Sequence, residues 1–130
     1  MKYLAYFLVL IFLSSCAPAF LGVGAGVGIA GYKYVSGTLS VEYVADYDKV
    51  WEATFNSLKE LDIKIEKIEK DALNGYIKGK KADGKIVVVK LKNKPSNIVE
   101  VKIKVGIFGD EEASKIIKKA IDTELGIQGE

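Results

Sequence analysis

The sequence predicts an α+β domain: an antiparallel sheet of about five strands with two helices packed on one face, in the order strand, helix, four strands, helix. A signal peptide and a glycine-rich apolar segment precede it. Three observations lead there. After Ser36, apolar and polar residues alternate in several separate stretches, the period of a half-buried strand. Two further stretches repeat apolar residues every three or four positions, the period of a one-sided helix. The alternating stretches are joined by short connections, which suit antiparallel neighbours.

The chain opens with Lys2 and an apolar run from Tyr3 to Phe12. Such a run suits a signal peptide and is too short to span a bilayer. Leu13-Ser14-Ser15-Cys16 then reads as a lipobox. Cleavage is expected between Ser15 and Cys16, so that residues 1–15 leave and Cys16 receives diacylglycerol. Each buried methylene contributes about 0.8 kcal/mol, and two or more chains anchor a protein stably in membrane lipid. The residue after the cysteine is Ala17 and not aspartate. In a host with two membranes this points to the outer membrane, facing the periplasm. The expected address is the cell envelope.

Residues 16–35 form the membrane-proximal segment. Gly26, Gly28 and Gly31 fit G-x-G-x-x-G, but no strand-loop-helix unit surrounds them, which excludes a dinucleotide loop. Two readings remain. One is a flexible tether, although its glycines alternate with Val, Ile and Ala where a solvated linker carries serine. The other, which we favour, is a membrane-dipping helix from Ala17 to Tyr32. It would be about 24 Å long against a hydrocarbon core of about 30 Å, so it would insert partially or self-associate. Gly22, Gly24, Gly26 and Gly28 would form the association face of a homo-oligomer, with Tyr32, Lys33 and Tyr34 at headgroup level.

The folded domain is expected over 36–126, with a tail at 127–130. Leu39, Val41 and Tyr43 alternate as a first strand, and Asp46 reads as the N-cap of a helix whose stripe is Val50, Trp51, Thr54, Phe55, Leu58 and Leu61. Trp51 and Phe55 sit at i, i+4 on that stripe, which makes them core residues before a ligand-stacking pair. Ile63 and Ile65 begin a second strand, a turn at Lys70-Asp71 leads into a third over 73–81, and Ile86 to Lys92 is the fourth. Asp83-Gly84 between them suits a tight primed turn. Ile98 to Val105 is the fifth. Asp110 then caps a second helix with Ala113, Ile116, Ile117, Ala120, Ile121 and Leu125 inward, ended by Gly126.

Composition excludes several functions. The chain of 130 residues has a formal net charge of +2, no histidine and one cysteine. All of its basic residues are lysine, so it lacks the planar fork that reads phosphate and bases bidentately, and nucleic acid is not an expected partner. Without histidine the commonest general base and metal ligand are missing. No catalytic residue, metal site or cofactor is expected. Asp46 with Asp48, and Asp110 with Glu111 and Glu112, are accounted for as helix N-terminal charges.

Lys78, Lys80, Lys90, Lys92, Lys102 and Lys104, with Lys64, occupy strand positions of the parity expected to face water. Together they would make a basic open sheet for an anionic lipid, a glycan or an acidic envelope protein. The competing explanation is solubility and protection against edge pairing, with Glu42, Glu66 and Glu100 as interspersed partners.

Cys16, the glycine run, Asp48-Lys49-Val50-Trp51, Lys70-Asp71-Ala72-Leu73 and Val105-Gly106-Ile107-Phe108-Gly109-Asp110 together resemble an uncharacterised family of small bacterial lipoproteins, catalogued as a domain of unknown function. The resemblance spans nearly the whole chain and implies the cell-envelope address without a mechanism. The expected function is a membrane-anchored, non-enzymatic interaction or structural module. The alternative is a lipid- or glycan-binding carrier or sensor using the lysine-rich face.

Overall fold

In the computed structural model, which describes residues 27–127, the alternating stretches pair into one six-stranded antiparallel sheet. In chain order the elements are β1 (Gly28–Val35), β2 (Thr38–Val44), α1 (Tyr47–Glu60), β3 (Lys64–Lys70), β4 (Asn74–Lys80), β5 (Ile86–Lys94), β6 (Ile98–Val105) and α2 (Glu111–Glu124). Across the sheet they lie β1-β2-β6-β5-β4-β3. Helix α1 therefore carries the chain from β2 to the far edge, and the β3–β6 meander returns it to β2. The coarse order of strands, helix, strands, helix is as expected.

Strand parity builds the core. Leu39, Val41 and Tyr43 of β2, Val87, Val89 and Leu91 of β5, and Val99, Val101, Ile103 and Val105 of β6 all point to the helical side and are buried. Val50 and Leu58 of α1 and Ile117 and Ile121 of α2 cover them. Each such side chain contributes about 1.5–3 kcal/mol on burial, so the inner face is strongly specified and the outer one is left wet.

Three expectations change. The sheet has six strands instead of five, because residues 28–35, read as the end of a membrane-dipping helix and its headgroup-level flank, pair along β2 from Gly28↔Val44 to Val35↔Thr38. The period there is two: Tyr32 pairs with Val41 and Tyr34 with Leu39 on the helical side, while Lys33 pairs with Ser40 outside. Gly28 thus lies in a strand and not on a helix-association face. Gly22, Gly24, Gly26 and Cys16 lie outside the described residues.

The second change concerns the turns. Ser36 and Gly37 both take positive φ, 54° and 82°, and make the tight primed hairpin turn. Asp83 does not; only Gly84 is positive, at 91°, and Asp83 Oδ1 accepts from the Lys85 backbone N–H at 3.0 Å.

The third lies on α2, whose buried face is rotated from the apolar stripe. Ile116 is exposed, whereas Ser114, Lys118 and Asp122 are buried. Tyr43 Oη donates to Asp122 Oδ1 at 2.6 Å and Lys118 Nζ donates to Asp122 Oδ2 at 2.8 Å. Lys118 also stands 4.7 Å from the Tyr32 ring centre. Helix ends follow local chemistry. Asp110 caps α2 by accepting from the Ala113 N–H, while Asp46 occupies the N-cap of α1 without a side-chain cap bond.

Candidate functional site

Both helices pack on one face, so the other face of the sheet is uncovered by any described element. Its residues are fixed by register. Ser40 pairs with Lys102, Lys102 with Lys90, and Lys90 with Tyr76, giving a row across the central strands. On one side of it run Lys104, Val88 and Lys78. On the other run Glu42, Glu100, Lys92 and Asn74. Lys80 lies opposite Ile86 and Lys64. All six lysines singled out from the sequence therefore share this face.

Charge on the face is unevenly paired. Glu42 and Glu100 are direct cross-strand neighbours, a repulsive arrangement, and Lys94 holds them together at 3.2 Å and 3.6 Å. The Glu42 hydrogen bond and the nearby Glu100 charge raise the Lys94 ammonium above the ordinary lysine range. Lys90 and Lys102 repeat the problem with opposite sign. They too are direct neighbours, but the only carboxylate near them among the described residues is Glu100, 3.9 Å from Lys102. Lys78, Lys80, Lys90, Lys92 and Lys104 have no carboxylate within 4.0 Å among the described residues.

Tyr76 stands between two shallow hollows. One, of about 460 Å³, is lined by Asn74, Tyr76, Lys90, Lys92, Glu100 and Lys102 together with the β3–β4 turn. The other, of about 560 Å³, is lined by Val35, Thr38, Ser40, Tyr76, Val88, Lys90, Lys102 and Lys104. Tyr76, Lys90 and Lys102 belong to both. A phenol beside unpaired ammonium groups can take an anionic group with an adjoining apolar or sugar surface. Tyr76 shares its parity with Lys78 and Lys80, which is the signal in the sequence that marks it for this face.

The other sequence candidates sit elsewhere. Trp51 and Phe55 pack against the core. Asp48 pairs with Lys70 at 2.7 Å, and Glu111 with Lys115 at 3.1 Å. Asp110 pairs with Lys85 at 2.9 Å; that hydrogen bond, then the cap bond to Ala113, hold its carboxyl below the usual range. Among the described residues no three metal-ligating side chains converge, and no helix is long and apolar enough to cross a membrane.

A family model described as a protein of unknown function, DUF3568, matches residues 1–124. No curated protein matches the chain.

Proposed function

We propose that this chain, which belongs to the family of unknown function DUF3568, is an envelope lipoprotein that acts by binding and not by catalysis. Acyl chains on Cys16 hold it at a membrane, and the uncovered sheet face engages an anionic partner through Lys78, Lys90, Lys102 and Lys104 around Tyr76.

The observation that carries this reading is the Lys90–Lys102 pair. Like charges directly opposite on adjacent strands destabilise a sheet. Solubility alone is served as well by alternating signs, as Lys94 achieves between Glu42 and Glu100. A central pair whose one nearby carboxylate among the described residues, Glu100, stands 3.9 Å from Lys102 and is shared with Lys94 favours an external counter-charge. The two hollows that share these lysines supply a place for it.

A photo-crosslinking residue at position 76 of the full chain, irradiated in native membranes, tests the reading. The expected result is an adduct that disappears when Lys90 and Lys102 become glutamate. If position 76 yields no more adduct than the same probe at Ile116 on the helical side, the face is merely solvated and the reading fails.

A further inference from the structure

We infer that the loop between β6 and α2 is a wedge that enters the surface of an anionic phospholipid bilayer. Ile107 and Phe108 at its tip are 85% and 92% exposed. Loop tips facing water ordinarily carry polar residues, so two large apolar side chains held outward need a non-aqueous neighbour.

The loop cannot fold them back. It packs backbone to backbone on the β1–β2 turn: a Cβ on Gly37 would stand 2.6 Å from the Phe108 carbonyl oxygen, and one on Gly109 would run into Gly37 itself. Both glycines take positive φ, as does Gly106. The glycines thus hold the apolar pair in place.

The surroundings match an anionic surface. Beside the tip lies an open hollow of about 800 Å³ walled by Ile86, Val88, Ile107 and Phe108, with Lys85, Lys104 and Asp83 at its sides. Lys85 and Lys81 are already paired with Asp110 and Asp83. The attraction therefore rests on Lys78, Lys80 and Lys104, which have no such partner among the described residues. Each lysine near an anionic leaflet strengthens association roughly fivefold.

Reach permits the contact. The tip lies beside the turn that ends β1, opposite the end where Gly28 begins it. An eight-residue strand spans about 25 Å. The chain from Cys16 to Val27 reaches at most about 40 Å. A domain moored at Cys16 can thus lie over and bring its far end to the same bilayer. This inference relies on the mooring for reach and on Lys78, Lys80 and Lys104 for attraction, and does not require Lys90 and Lys102 to bind anything.

The test uses the acylated full chain, in which the sulfur of Cys16, the one native cysteine, is a thioether and does not react, so that a single added cysteine takes an environment-sensitive fluorophore. One variant adds Ile107→Cys; the other adds Ala72→Cys in the β3–β4 turn, at the opposite end of the sheet. Each is reconstituted with vesicles of phosphatidylglycerol or of phosphatidylcholine. The fluorophore at 107 should brighten and resist iodide quenching on phosphatidylglycerol alone, that at 72 should stay accessible, and adding Phe108→Asp should abolish the shielding. A fluorophore at 107 as accessible as that at 72 on phosphatidylglycerol overturns the wedge. So does shielding that grows with protein concentration without vesicles, which would mean that a second copy covers the tip. Insertion that persists in Lys90→Glu/Lys102→Glu would leave the wedge standing while the crosslinking above decides the sheet face separately.

Discussion

Replacing Asp122 by alanine should be among the most damaging single changes on α2. Its carboxylate, 2% exposed, accepts from Tyr43 Oη at 2.6 Å and from Lys118 Nζ at 2.8 Å. Removing it strands a buried phenol and a largely buried ammonium together. Breaking a buried pair by deleting one partner costs about 3–5 kcal/mol. Lys118 can lean toward water along its stem and keep its contact with the Tyr32 ring, so the lower figure applies, about 3 kcal/mol. For a domain near 100 residues each kcal/mol shifts Tm by about 4–8 °C, which gives a fall of about 12–24 °C. Circular dichroism of the full chain, melted thermally and in urea, reads it. The double variant Lys118→Met/Asp122→Leu removes both charges and should lose less than Asp122→Ala alone. A loss below about 1 kcal/mol for Asp122→Ala, or a double variant worse than the single, would refute the view that the network governs how α2 seats.

The same network predicts a response to alkali. Burial first, then the hydrogen bond to Asp122 and its negative charge, push the Tyr43 phenol far above the ordinary tyrosine range. Unfolded chains release this proton near pH 10 while the folded one keeps it, so its contribution is whole below pH 10 and falls above by about 1.4 kcal/mol per unit. Urea melts across that window should show a shallower slope for Tyr43→Phe than for wild type. Gly75→Ala should place a methyl 2.7 Å from Trp51 Cζ3, costing about 1–3 kcal/mol by overpacking; fluorescence of the only tryptophan should shift red as the ring is displaced. Metabolic labelling with a palmitate analogue should mark the wild-type chain and not Cys16→Ser, and equal labelling of both would remove the lipid anchor.

The parts of the fold with strict periods were legible. Val99, Val101, Ile103 and Val105 alternate with Glu100, Lys102 and Lys104 without interruption, so strand, inner face and outer lysines follow from one period. β1 was not, because glycine and alanine at 28, 30 and 31 weaken strand propensity and continue the spacing of the preceding run. Only Tyr32-Lys33-Tyr34 and the Ser36-Gly37 turn marked it. The rotation of α2 escaped for another reason. Ile116 reads as core by hydropathy, yet Asp122 and Lys118 go inside because each satisfies the other and Tyr43 requires an acceptor. The Tyr43–Asp122 bond joins residues 79 positions apart, a separation at which no local pattern operates. Ile107 and Phe108 lie between two periodic stretches and fit neither; their exposure follows from the close approach of Gly37 and Gly109.

Capture of lipopolysaccharide by the Cys16→Ser chain, which carries no acyl anchor, measured beside the same chain with Lys80→Glu/Lys90→Glu/Lys102→Glu at matched salt, bears most directly on the basic face. The expected result is capture by the first that weakens steeply with added salt and no retention of the second, folded by circular dichroism. Equal retention of the two proteins at every salt concentration would contradict it.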